Sequence, residues 1–356
     1  MVNKLWTDIQ SQPENLRRVV RHLLGPERTR LTAAARFLQN DRPITFVGIG
    51  SAGYLCAPAE VYLAQHGRAA SVVYASDALY NRLPALRHSN VVINSRSGET
   101  VEVVRLGQAL AEQGIPFVTI TNEPDSTLAK LSTHVLWANS RKDDLVSINI
   151  VTSMMLTSLA LAAETVGTLE TLVPAQEGLP EAMQEVVVRA SARAKPMAEY
   201  LRAARPVYLL YRGGLQGAAY NGRLVLEEIA RTPGIAVEAG DFRQGPNEVI
   251  DERFGAVVFV PGGKQGELNL SLSRDILGAG GRVVLVGKIN SWAGGGFTFP
   301  VPDVLDELLS VLGVVPLQVL AYELAAGQGI APGTVRYISK VILSEEGIPN
   351  QMAAMD

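Results

Sequence analysis

Cysteine is almost absent from this chain: one residue of 356, Cys56. That excludes an internal disulfide and a cysteine metal cluster, and leaves Cys56 to be read as a small apolar residue buried on a helix. Histidine is scarce too. His22, His66, His88 and His134 are scattered, with nothing like the H-E-x-x-H spacing of a metal site. Charge of one sign is lacking: 32 basic against 35 acidic residues give a net charge of −3, so nothing electrostatic argues for nucleic acid or an anionic membrane as partner. The longest apolar stretches are read as short of a membrane span, and the start, Met1-Val-Asn-Lys-Leu-Trp, has no signal-peptide core. The expectation left is a soluble, cytoplasmic enzyme or binding protein without metal or cofactor. At 47% hydrophobic and 19% charged it can bury large cores, and its length suggests two domains.

What is present is strand–helix alternation, twice over. Residues 1–40 are read as two helices, with Leu16, Val19, Val20 and Leu23 on one face and Leu31, Ala35 and Leu38 on another. Residues 41–167 read as a first domain, with strands at Ile44–Gly50, Ser71–Tyr74, Val91–Asn94, Phe117–Thr121 and His134–Trp137 and a closing apolar helix over Leu145–Thr165. Residues 168–188, bearing Gly, Pro and Glu, read as a linker. Residues 189–330 repeat the scheme, with strands at Pro206–Tyr211, Ala256–Val260 and Val283–Val286, helices over 216–231 and near 267–278, and a long apolar helix over Val304–Ala326. Residues 331–356 are a tail. The fold class is α/β, two tandem doubly wound domains, each a parallel sheet covered on both faces. Ligands in such sheets bind outside the carboxyl ends of the strands.

The stretch Val91-Val-Ile-Asn-Ser-Arg-Ser-Gly-Glu-Thr100 carries most of the functional signal. A buried strand breaks into Ser95, Arg96, Ser97, Gly98 and Thr100. A helix then begins, with Val103, Leu106 and Leu110 on one face. The first turn of a helix leaves N–H groups unpaired and carries partial positive charge. With hydroxyls around one glycine, the turn suits a phosphate better than a plain cap does.

Other stretches are weaker. Gly48-Ile-Gly-Ser-Ala-Gly53 has the form of a dinucleotide fingerprint, but its acidic partner, Asp77, is displaced, so nicotinamide binding is a secondary reading. Glu227 and Glu228 are adjacent on a helix, so one can face inward, as a general base would, while the other meets solvent. Gly262-Gly-Lys264 lacks the spacing of a P-loop and reads as a flexible turn. Lys340 stands among apolar neighbours in the tail and suits a phosphate or sugar hydroxyl, or a surface position with its stem laid on apolar groups.

Together, the Gly48-Ile-Gly-Ser51 turn, the Ser95-to-Thr100 turn, Leu226-Glu-Glu-Ile229 and Phe242-Arg-Gln-Gly-Pro246 resemble the SIS (sugar isomerase) domain family, and within it the isomerase half of glucosamine-6-phosphate synthases. The likeness covers about residues 15–345. It implies two five-stranded, flavodoxin-like domains and a homodimer. It also implies a sugar phosphate held by Ser95, the Arg96 backbone amide, Ser97, Gly98 and Thr100. Gly50 and Ser51 would lie at the sugar, as would main chain near Leu145. Glu228 would be the base between C1 and C2, and Lys340 the tail lysine that reaches the sugar. Gln244 stands where the family has a histidine that assists ring opening. Glutamine can hydrogen-bond a ring oxygen but cannot exchange a proton at neutral pH. Val225 stands where a lysine is usual, and Val2 where a glutamine-using synthase has its cysteine nucleophile. The implied activity is therefore isomerisation of an amino-sugar or ketosamine 6-phosphate with release of ammonia or amine. The alternative is a sugar-phosphate sensor without turnover.

Overall fold

The computed structural model describes residues 3–289 and 291–347. Among these described residues, ten strands form two five-stranded sheets, and every strand pair is parallel. The chain divides into two compact units. One, the first unit, comprises Glu14–Glu177 with Val335–Asp356; the other, the second unit, comprises Met1–Pro13 with Gly178–Thr334.

The first unit is built on β1 (Ile44–Gly48), β2 (Ala70–Tyr74), β3 (Asn90–Ser95), β4 (Phe117–Thr121) and β5 (His134–Trp137), in the order β2-β1-β3-β4-β5. Strands β1, β3 and β4 are buried along their whole length, which is why they read as continuous apolar runs rather than as alternating ones. Val47, Ile93, Leu106 and Phe117 centre one core, between the sheet and the helix Val101–Glu112. The helix Asn149–Thr165 is apolar on every side and almost wholly buried, and Thr152, Ser153, Thr157 and Thr165 satisfy their hydroxyls on carbonyls three or four residues back.

The second unit holds β6 (Val207–Tyr211), β7 (Gly234–Glu238), β8 (Gly255–Val260), β9 (Arg282–Gly287) and β10 (Phe297–Pro300), ordered β10-β9-β8-β6-β7. Counted within the unit this is the same 2-1-3-4-5 order, the flavodoxin-like arrangement. Its core includes Leu210, Phe242, Val258 and Leu285.

Several expectations need correction. Residues 168–188, read as a linker, are helical: they hold the helix Leu169–Glu177 and the start of the helix Leu179–Leu201, and the division between the two units falls between these helices. Pro180 misled the reading: it lies in the first turn, where a missing N–H costs nothing. The amino-terminal stretch holds three helices, Lys4–Gln10, Gln12–Leu24 and Arg28–Leu38, and the first belongs to the second unit. Strands β7 and β10 escaped the sequence because each is a short sheet edge beside glycines. Finally, the helix Asp306–Gly327 is long and apolar enough to cross a membrane by length and composition. However, 89% of its apolar window is buried inside the protein, as in a core helix.

Candidate functional site

In the first unit the serine turn leaves β3 at Ser95. The turn is fixed by bonds that the sequence does not advertise. Asn94, fully buried, donates to Ser158 Oγ at 2.9 Å and Cys56 Sγ at 3.0 Å. Cys56 is indeed buried, and that burial pushes its thiol well above the usual range. Ser95 Oγ accepts the Gly98 N–H at 3.1 Å, and Ser97 Oγ accepts the Glu99 N–H at 3.2 Å. A hydroxyl that accepts from an amide keeps its own O–H to donate, so both can still point a donor at an anion. Gly98 has φ +63°, and a Cβ there would lie 2.0 Å from Ser126 Oγ; only glycine fits. The far side of the turn is tied down as well. The Arg96 carbonyl accepts from the Asn122 N–H at 3.1 Å, and Glu99 Oε1 accepts the Thr127 N–H at 2.7 Å. Thr100 is the N-cap of the helix Val101–Glu112, yet its side chain makes no capping bond.

The glycine turn Gly48–Ser51 leaves β1, the strand beside β3. A Cβ at Gly48 would meet the backbone of Ala52 and Gly53 at 2.6 Å, and Gly50 has φ +56°. Ser51 opens the short helix Ser51–Tyr54 and is half-buried. The two turns thus flank the point where the strand order reverses, the crevice where doubly wound sheets bind ligands. Asp77 does not play the dinucleotide part. It lies past the end of β2, bonded to Arg82 and, at 2.9 Å, to Asn81.

The loop before the helix Asn149–Thr165 is organised by Asp143. Its carboxylate accepts the N–H groups of Ile148 at 3.0 Å, Asn149 at 2.9 Å and Ile150 at 3.1 Å. These bonds move the helix start from the expected Leu145 to Asn149. Desolvation pushes the Asp143 carboxyl above its usual value, against the pull of these bonds. The Arg96 guanidinium donates to Ser147 Oγ at 3.0 Å, approaches the Leu145 carbonyl at 3.5 Å, and also bonds the Lys340 carbonyl. Lys340 itself is exposed. The first unit therefore gathers Gly50, Ser51, Ser95, Arg96, Ser97, Gly98, Thr100 and the tail lysine.

Glu228 and Gln244 belong to the second unit. Glu228 lies near the end of the helix Gln216–Ala230, which runs from the carboxyl end of β6 towards the amino end of β7. Within its own sheet it is thus away from the carboxyl edge where sites were expected. Glu227 and Glu228 are both half-buried, not one in and one out, and Glu227 pairs with Arg223 at 3.3 Å. Gln244 is exposed, in the turn after the helix Ala239–Phe242, and Val225 is buried. At the carboxyl ends of this unit's strands, carboxylates of the protein itself take nearby donors. Glu238 takes Arg212 at 3.0 Å and the Gly240 and Asp241 amides at 2.5 and 2.8 Å. Asp306 accepts the Gly262 N–H at 2.9 Å and pairs with Lys288 at 2.9 Å. The Gly262 turn accordingly opens a helix, Gly263–Gly278.

A sequence profile of the SIS domain matches residues 37–164. These residues are a SIS domain. Over 348 residues the chain is 25% identical to glutamine–fructose-6-phosphate aminotransferase [isomerizing] of Pyrobaculum aerophilum, covering 95% of this chain and 57% of that protein. The chain spans somewhat over half the length of the curated relatives it matches. Among solved structures, the C-terminal domain of glucosamine-fructose-6-phosphate aminotransferase from Francisella tularensis superposes with a TM-score of 0.83 at 20% identity, over 93% of this chain and 98% of that one. Glucosamine-6-phosphate deaminase from Thermotoga maritima gives 0.76 at 20% identity, over 96% and 99%. These structural likenesses show the fold of the whole chain, two doubly wound parallel α/β domains in tandem.

Beyond the motif residues, sequence reading missed the Arg96 side chain, Asp143 and the Arg212–Glu238 pair. Arg96 was expected only through its backbone. The others gave no signal, because their partners are distant in sequence or are backbone groups.

Proposed function

We propose that this SIS-domain protein converts an amino-sugar or ketosamine 6-phosphate by an aldose–ketose proton shift, with release of ammonia or an amine. The observation that carries this reading is the serine turn at the β1/β3 reversal, whose hydroxyls and glycine suit a phosphate, while the corresponding turn of the second unit is filled by Asp306. Ser95, Ser97 and Thr100 would hold the phosphate and so fix the sugar, an orientation effect. Glu228 would carry the proton between C2 and C1 of the open-chain sugar, leaving an imine at C2. Water would then add to the imine, and ammonia leave, giving the ketose phosphate; with a ketosamine the proton would pass from C1 to C2, the imine would form at C1, and water would release the amine and the aldose phosphate. Gln244 would orient the ring oxygen without exchanging a proton, so a substrate that arrives open-chain is favoured. The working form would be a homodimer. Relatives with amino-sugar phosphates in their names support the substrate class.

The test is incubation with glucosamine 6-phosphate, reading ammonia and fructose 6-phosphate together. Both products should appear, and Glu228→Gln should abolish both. Activity that survives Glu228→Gln would remove the base assignment. Binding without turnover would turn the reading to a substituted amine or to a sensor.

A further inference from the structure

We propose that the Arg96 guanidinium and Glu345 form a clasp that lays the tail along the serine turn and so positions Lys340. The inference rests on the reading above only for what Lys340 then does. Three attachments, all within the first unit, carry it. Arg96 bonds the Lys340 carbonyl while also holding Ser147 at 3.0 Å. The Val101 N–H donates to the Ile342 carbonyl at 3.0 Å. Glu345 accepts from Arg105 at 2.9 Å and from the Tyr80 hydroxyl. Tail residues 340, 342 and 345 thus meet residues 96, 101 and 105 in the same order, so the tail runs beside the turn and the first half of its helix.

The chemistry fits a clasp more than a chance contact. Residues 335–347 contain no helix or strand, and none of them belongs to the core of the unit, so side-chain anchors must hold them. Glu345 is exposed as a residue, but its side chain, laid against Arg105 and Tyr80, is 22% exposed. Among the described residues Arg96 makes no ion pair. Its three acceptors are neutral oxygens, so its positive charge stays uncompensated beside the turn proposed for phosphate. The Ile342 carbonyl also occupies the Val101 N–H, the first amide of the helix, and leaves the phosphate to the serine and threonine groups before it. The turn and the tail lysine are therefore one module, held by bonds among residues of the first unit.

The test reads the tail directly. Trypsin cuts after Lys340, whose carbonyl Arg96 holds, so cleavage there reports release of the tail in the intact protein. Arg96→Gln and Glu345→Ala should each raise the cleavage rate about ten-fold, as when one charge-assisted bond is lost from a locally opening segment. Ser97→Ala should leave it unchanged. In turnover of glucosamine 6-phosphate, Glu345→Ala and Lys340→Ala should each lower kcat, and the double variant should be no worse than Lys340→Ala alone, because Glu345 acts through Lys340. Unchanged cleavage in both clasp variants overturns the proposal whatever the activity, and additive kcat losses overturn the positioning role. Should Arg96→Gln fail to fold, Glu345→Ala decides alone. If the wild type turns over no amino-sugar phosphate, the functional reading falls while the cleavage rates still judge the clasp.

Discussion

At the residue scale, the serine turn is decided by Gly98 as much as by its hydroxyls. Gly98→Ala would combine left-handed strain of about 1–2 kcal/mol with overpacking of about 1–3 kcal/mol against Ser126. We expect a loss of about 2–5 kcal/mol in urea unfolding, with loss of phosphate binding. Ser97→Ala is the milder change. It removes a donor that a bound phosphate would use and leaves the Glu99 N–H unaccepted. Calorimetry with glucosamine 6-phosphate should show affinity about ten-fold weaker, the worth of one hydrogen bond to a charged group, with the melting temperature barely moved. An unchanged affinity would place the phosphate elsewhere. The residue types and their spacing made this turn legible, since Ser, Gly and Thr at a strand end have few other uses. Arg96 was half legible: nothing in the sequence says that its side chain reaches residues 147 and 340.

At the element scale, the helix Asn149–Thr165 is anchored by a carboxylate outside it. Asp143 has its carboxyl raised above the ordinary 3.8 by desolvation, so the folded state takes up a proton more readily than the unfolded one. Its contribution to stability is therefore full below that value and is lost as pH rises through the folded value. Asp143→Asn should flatten this slope in denaturation measured across the acid range. The helix Gln216–Ala230, which carries Glu228, is placed by close contact instead. A Cβ at Gly222 would lie 2.7 Å from Leu317 Cγ and 2.8 Å from Leu209 Cδ2. Gly222→Val should cost about 1–3 kcal/mol in unfolding and should lower activity along with stability, since the helix must shift. Periodicity gave both helices but not their anchors, because a cap five to seven residues away and a glycine contact leave no periodic trace.

At the scale of the whole molecule, each unit is discontinuous in sequence. The amino-terminal helix Lys4–Gln10 belongs with the second sheet, and the tail with the first. A chain ended at Thr334 would lose the clasped tail but, among the described residues, no strand and no core residue of the first unit. It should unfold with nearly unchanged midpoint, keep inorganic phosphate binding and lose turnover. Circular dichroism and the coupled ammonia assay would check this. A large drop in midpoint would make the tail structural rather than functional.

The sequence by itself determined that there are two α/β halves and that the first holds a hydroxyl-rich turn at a strand end. These are local properties: apolar runs set the strands, and Ser, Gly and Thr set the turns at their ends. It could not determine the strand order, because edge strands such as β7 and β10 are short and half-exposed, and pairing is a long-range choice. Nor could it say that Asp306 takes the Gly262 amide and that Glu238 takes Arg212 in the second unit, or that residues 168–188 are helical. Those outcomes depend on which groups meet across the fold, and only the tertiary structure, by satisfying each buried amide and carboxylate with a distant partner, decided them.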